Sequence, residues 1–383
     1  MKFNKWTLGL AAVGAVSMAS AVRADEAKLS QVQTALSNTT ISGYVDVSVN
    51  YVAGSQPERG YYNYPDYRDQ FSLDTVTISL DKPLDDSPWA SGYHIDLNAG
   101  NRALNALYSY TATQGLAVRQ AYVTLRTPVG NGIDWKVGAM DGVTGYEGNT
   151  AWANPNYSRS FGYAINPASY VGLIGTYKIC DAVSFTGGLL NRGYMMGYGQ
   201  NDNNLSSFDY LASVSLTAPD SWGFLKGSSL NLQTIQGFDN NAVDNYSING
   251  TLSTPLAGLK VGFAWDRLQS LAYGADGDVW GLYSTFQATD KLSFALRGEI
   301  IDSKDLYLLA PTEFAPYNSF GIPGKGEEIT ATVAYNLWAN VLTRAEIRWD
   351  HAENGPAFAT NGGGEGAGVD NQFTFVLNVV YKF

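Results

Sequence analysis

The chain has 383 residues and a formal net charge of −11, with 13% aromatic residues, 25 tyrosines and only 15% charged residues. That acidity provides no cationic face for a phosphate backbone, so no nucleic-acid partner is expected, and Cys180, the single cysteine, excludes an internal disulfide. Mean hydropathy is −0.14. Beyond the first two dozen residues there is no apolar run of roughly 18 residues, which excludes a helical membrane protein.

In chain order, residues 1–24 read as a secretory signal peptide. Lys2 and Lys5 make a short positive start, an apolar run extends from Trp6 to Val16, and small residues offer cleavage after Ala21 or after Ala24. The run is too short, and too rich in Ala, Gly and Ser, for a spanning helix of about 20 apolar residues. No cysteine adjoins the cut, so a lipid-anchored lipoprotein is not expected. Loss of Lys2, Lys5 and Arg23 moves the net charge from −11 to −14. Residues 25–39 differ from the rest of the chain. Leu29, Val32 and Leu36 recur at helical spacing without alternation, which predicts a short periplasmic helix or a leader, with too few heptads for a coiled coil.

From residue 40 onward the sequence alternates. Ile41, Gly43, Val45, Val47, Val49 and Tyr51 take one parity, and Ser42, Tyr44, Asp46, Ser48 and Asn50 the other. Side chains alternate faces along a strand, so this is a strand with one apolar face. Further strands are expected near 71–80, 91–99, 117–126, 132–140, 169–179, 182–191, 208–217, 229–238, 246–255, 258–267, 278–288, 291–301, 327–336, 340–350 and 372–383. Each has about the ten residues that cross a bilayer when tilted. The connections alternate in length. Long ones, rich in Gly, Asn, Asp and Tyr, fall at 53–70, 100–116, 141–168, 192–207, 302–326 and 351–371, with tight turns such as Cys180-Asp181 and Thr289-Asp290 between them. Trp89, Trp222 and Trp338 fall at short turns, and Trp265 and Trp349 near the opposite strand ends, as two interfacial girdles would.

The last strand has its own signature. Phe373, Phe375, Leu377, Val379, Tyr381 and Phe383 share one parity, so one face is wholly apolar. A bare apolar edge invites aggregation, whereas a terminal aromatic such as Phe383 is similar to the signal by which outer-membrane barrels are read by the insertion machinery. These features predict an all-β fold: a transmembrane antiparallel up-and-down β-barrel over residues 40–383, of about sixteen strands, with 14 or 18 open. The terminal strand is expected to pair with 41–51 and close the seam, placing Asn378 beside Asp46 and Asn50.

In so wide a barrel the polar parity lines a water-filled lumen. Expected lining residues are Asp46, His94, Asp96, Asp134, Lys136, Lys178, Lys260, Asp266, Arg297, Glu299, Arg344, Glu346, Arg348 and Asp350. Dense alternation of sign at Arg297/Glu299 and at Arg344/Glu346/Arg348/Asp350 reads either as a transverse field that screens solutes or as ion pairs that hold the wall. The 28-residue connection 141–168 exceeds ordinary loop lengths. Its aromatic content, Trp152, Tyr157, Phe161 and Tyr163, argues against disorder. It is expected to fold into the barrel and narrow it, with Glu147 and Arg159 facing the opening; an extra strand near 157–166 is the alternative.

Several stretches carry a family resemblance. Phe71–Pro83 (FSLDTVTISLDKP), Gln120-Ala121-Tyr122-Val123, Asn156–Pro167 (NYSRSFGYAINP), Gly187–Asn191 (GGLLN) and Ala288–Glu299 (ATDKLSFALRGE) run in order over nearly the whole chain. Together they resemble the bacterial outer-membrane beta-barrel porin family called porin-2, or OmpL-like. The resemblance implies a porin-like barrel in the outer membrane of a Gram-negative-type bacterium, and matches its motifs at Ser158, Arg159, Arg297 and Glu299.

The function expected is passive diffusion of small hydrophilic solutes and ions, with no chemical step, cofactor or metal. The alternative is a structural or adhesin-type barrel presenting the Tyr-rich connection 53–70. An enzyme is not expected: only His94 and His351 are available as bases, and no serine lies in a nucleophile-elbow pattern. Expected partners are outer-membrane lipid, the barrel-insertion machinery and the solutes themselves, with a homotrimer open.

Overall fold

The computed structural model describes residues 38–53, 55–56, 70–100, 116–167, 169–191, 208–237, 243–270, 275–302, 324–354, 358–360 and 368–383. The expected signal peptide, nearly all of the 25–39 leader and most of the Tyr-rich connection 53–70 lie outside them. Sixteen strands close into one antiparallel barrel. They are β1 (Thr40–Ala53), β2 (Gln70–Lys82), β3 (Ser91–Ala99), β4 (Leu116–Thr127), β5 (Ile133–Asp141), β6 (Ser169–Cys180), β7 (Val183–Asn191) and β8 (Phe208–Thr217). The second half comprises β9 (Ser229–Gly237), β10 (Val243–Ser253), β11 (Leu259–Ser270), β12 (Ala275–Gln287), β13 (Leu292–Asp302), β14 (Lys325–Trp338), β15 (Val341–Ala352) and β16 (Asn371–Lys382). Every strand pairs with its chain neighbours, and β16 returns to β1. The expected strands all appear, the largest shifts being a few residues at the ends of β10, β11 and β12.

The seam closes as the alternation requires. Val49 stands opposite Leu377 and Ser48 opposite Asn378. At its end Gly43 and Phe383 exchange two backbone hydrogen bonds of 3.0 Å each. Closure leaves no open edge, so the backbone donors and acceptors of the wall are satisfied inside the ladder, as lipid demands. The apolar parity faces outward: Phe373, Phe375, Leu377, Val379, Tyr381 and Phe383 are all exposed. The polar parity is buried, including Asp46, Asp96, Arg297, Arg344 and Arg348. This inverts the soluble-protein rule and is the pattern of a wall between lipid and a polar lumen. Trp89, Trp222 and Trp338 are exposed at the short-turn end, where amphipathic rings sit at a bilayer interface.

Among the described residues four register shifts interrupt the ladders; two lie at the short-turn end, beside Ile179 and Leu337, and the other two are β-bulges that bear on the interior. Asp46 pairs with Thr75 and Val47 with Leu73, which leaves Asp74 as the extra residue of β2. Asp96 pairs with Gln120 and Leu97 with Val118, which leaves Arg119 as the extra residue of β4. Each bulge turns an additional charged side chain into the interior, and both Asp74 and Arg119 are buried.

Candidate functional site

Among the described residues, the connection between β5 and β6 carries the densest set of long-range hydrogen bonds to the polar face. Its regular structure is one 3-10 turn at Ala151–Ala153 and a short helix, α1 (Phe161–Ile165). The Ser160 hydroxyl caps α1 by accepting from the Tyr163 amide at 2.9 Å. The alternative of an extra strand over 157–166 is therefore excluded. Gly162 lets α1 lie against β11, since a Cβ there would stand 2.5 Å from Asp266 Oδ2.

Opposite sides of the ring hold this segment. On one side, Gln233 of β9 accepts from the Gly145 amide at 3.1 Å and donates to the Val143 carbonyl at 2.5 Å. Asn245 of β10 donates to Asn166 Oδ1 at 3.0 Å. On the other, the Tyr157 hydroxyl donates to Asp74 of β2 at 2.9 Å and lies 2.9 Å from Ser48 Oγ of β1. Glu346 of β15 accepts from the Tyr157 amide at 2.6 Å and from the Ser158 amide at 2.9 Å. Glu299 of β13 accepts from the Phe161 amide, and Arg344 donates to the Asn154 carbonyl at 3.1 Å. A third anchor joins the segment to its own root: Arg119 of β4 donates to Thr150 Oγ1 at 3.1 Å, and Asn149 donates to Asp141 at 2.9 Å.

At the centre is Arg297. Its guanidinium donates to Glu328 Oε1 and to Glu147 Oε1, each at 2.7 Å, and to the Ser158 carbonyl at 2.9 Å. Arg348 pairs with Asp350 at 2.7 Å, reaches Glu328 at 3.6 Å and donates to the Arg159 carbonyl at 2.5 Å. Charges removed from water in this way cost several kcal/mol each unless paired and hydrogen-bonded. Here Arg297 and Arg348 answer Glu147, Glu328 and Asp350, and backbone amides of the segment donate to Glu147, Glu299 and Glu346. Glu147 and Arg159 are buried, at 7% and 1% exposure, rather than presented to solvent. Arg159 donates to the Asn149 carbonyl at 2.6 Å and stands 4.9 Å from the Tyr163 ring centroid. Tyr146 stacks on Tyr283 at 3.9 Å between centroids. Burial first, and then the neighbouring Glu147 charge, push its hydroxyl above its ordinary pKa, against a hydrogen bond from Thr251 that acts the other way.

The remaining expected residues form separate groups. Asp46 accepts from Asn378 across the seam. Asp96 accepts from Ser79 at 2.5 Å and from Gln120 at 2.7 Å, and lies 3.0 Å from His94 Nε2. Lys136 sits over the Tyr122 ring, 4.9 Å from its centroid. Lys178 and Lys260 are exposed at the short-turn end. Phe383 is at the seam, bonded to Gly43. Sequence reasoning missed Asp74, Arg119 and Glu328. Glu328 was legible, because Ile329 and Val333 point outward and so turn Glu328, Thr330 and Thr332 inward. Asp74 and Arg119 were not, because each is a bulge residue that breaks its parity. Among the described residues no group of three or more His, Cys, Asp or Glu side chains is arranged to hold a metal ion.

A closed sixteen-stranded wall, apolar outside and charged inside, defines an outer-membrane barrel of the porin type. The sequence model of the beta-barrel porin-2, OmpL-like family matches residues 38–383, and the chain belongs to that family. No curated protein sequence matches it. Solved structures share the fold at low identity. The outer membrane channel DcaP of Acinetobacter baumannii is 13% identical with a TM-score of 0.56, covering 90% of this chain and 97% of its own. An anion-selective porin from Comamonas acidovorans is 12% identical with a TM-score of 0.59, covering 90% and 99%. The trimer form of OmpT of Vibrio cholerae is 12% identical with a TM-score of 0.56, covering 90% and 99%.

Proposed function

We propose that the chain is a passive diffusion channel for small hydrophilic solutes and ions, with its lumen narrowed by the 142–168 segment. One observation carries the reading. The segment bonds both to Gln233 on β9 and to Asp74 on β2, strands almost diametrically placed in the ring. A segment tied to both sides lies across the lumen, and the space beside it sets the size of what passes. In this reading Glu147 and Arg159 act as anchors of the constriction and the half-buried Lys136 lines the water beside it, while Asp46 and Asp96 are buried within the hydrogen-bonded wall. Phe383 serves insertion by completing the seam, and its readers are the insertion machinery. A homotrimer in outer-membrane lipid is the assembly we favour, by analogy with the trimeric OmpT. Purified protein in a planar bilayer and in liposomes tests the function. Steady ionic conductance together with entry of small sugars supports it, and a sealed membrane with a correctly assembled barrel overturns it.

A further inference from the structure

The charges of the interior are not spread evenly around the ring. The arc from β13 through β16 to β5 carries Arg297, Arg344, Arg348 and their carboxylate partners, and the 142–168 segment is bonded onto much of it. The arc from β7 to β10 is different. Thr186 of β7 stands opposite Ser213 of β8, which stands opposite Gln233 of β9. One rung nearer the short turns, Ser215 of β8, Asn231 of β9 and Asn249 of β10 align. Between these rungs and the segment is a space of about 550 Å³, and none of the described residues that line it is charged. Toward the short turns it continues past Ser215 into a second space of about 400 Å³ whose charged residues are paired with each other, Lys178 with Asp181 at 2.8 Å and Arg126 with Asp134 at 2.6 Å.

We propose that this space is a solute path selective for neutral polyhydroxylated molecules of saccharide type over charged solutes of equal size; the proposal rests on the channel reading. Each hydroxyl and side-chain amide along the rungs can both donate and accept, as the hydroxyls of a sugar do. The groups already bond to one another in that way: Asn231 donates to Asn249 at 2.9 Å, and Asn249 to Gln233 at 3.0 Å. A polyol exchanges its water for such partners with little loss. An ion of the same size gives up stronger hydration and meets no opposite charge along these rungs, since no described residue lining this space is charged. Tyr146 contributes an apolar ring beside these polar groups. Its hydroxyl accepts from Thr251 at 3.3 Å, and Gly262 leaves room for it, since a Cβ there would overlap the phenol oxygen. An aromatic face with polar groups at its rim suits a ring that carries both C–H and O–H surfaces.

The full chain in liposomes tests this with glucose, gluconate and glucosamine, solutes of nearly equal size and different charge, alongside potassium chloride conductance. Glucose is expected to enter faster than both ions by on the order of tenfold, the effect of about one poorly replaced hydrogen bond to a charged group. Equal entry of the three, or faster entry of either ion, with normal conductance overturns the selective path and leaves the channel reading intact. No conductance and no entry of any of them overturns both. A Ser215→Asp, Asn231→Asp variant, whose new charges lie at half-buried positions, is expected to cut gluconate entry and raise the cation preference of the conductance. If an assembled variant keeps the wild-type ratios, solutes do not pass this arc and the proposal fails.

Discussion

Replacing Arg297 by methionine removes the cation on which the segment converges. Arg297 Nη1 and Nη2 reach Glu147, Ser158 and the Arg159 carbonyl, while Nε holds Glu328 at 2.7 Å. Methionine fills similar volume but leaves Glu147 and Glu328 buried, with Glu328 reached by Arg348 only at 3.6 Å. Breaking a buried pair from one side costs about 3–5 kcal/mol. At ~1.4 kcal/mol per factor of ten, that shifts the balance of docked and released segment by roughly two to nearly four orders of magnitude. The ladder of the wall is untouched, so the barrel is expected to assemble and to keep the heat-modifiable gel mobility of a folded porin. The assays are single-channel conductance and protease cleavage within 142–168 in liposomes. Arg297→Met should raise conductance, add open-channel noise and expose the segment to cleavage. Adding Glu147→Gln should recover part of the loss by removing the stranded carboxylate. An assembled Arg297→Met channel with wild-type conductance and protease resistance would refute the reasoning, because the segment would then not be held by this cluster.

Deleting Phe383 removes two backbone hydrogen bonds to Gly43, worth about 1 kcal/mol each, along with an outward aromatic ring. Assembled protein in the outer-membrane fraction should fall, while any channels that form keep their conductance; normal assembly would contradict the seam role. Tyr157→Phe takes away the hydroxyl that bridges Asp74 and Ser48 and leaves the buried Asp74 carboxylate with one donor fewer. It should cost about 1–3 kcal/mol of segment docking and be read as a smaller conductance rise than that of Arg297→Met. Gly162→Val places a branched side chain against Asp266 and should lift α1 from β11, increasing cleavage near 160–166. Unchanged protection would mean that α1 does not rest there.

The wall was legible in the sequence because its determinant is local. A period of two over about ten residues needs no knowledge of partners, and the outward parity of the closing strand could be read off Phe373 to Phe383 directly. A count of about sixteen strands, with 14 or 18 open, and the seam between β1 and β16 followed from the same alternation. Three things waited for the tertiary structure. The bulges that bring Asp74 and Arg119 inward depend on register between neighbouring strands, which periodicity does not encode. The five-residue helix α1 is too short to leave a periodic trace and is set by its Ser160 cap and the strands beneath it. The fate of the interior charges was also undecided. Alternating Arg and Glu along a strand fits either a charged water channel or a set of ion pairs. The contacts that consume those charges join residues far apart in the chain: Glu147 with Arg297, 150 residues on, Arg297 with Glu328, and Glu346 with the Tyr157 and Ser158 amides. Strand periodicity is a property of each segment alone, whereas pairing of distant charges belongs to the closed ring.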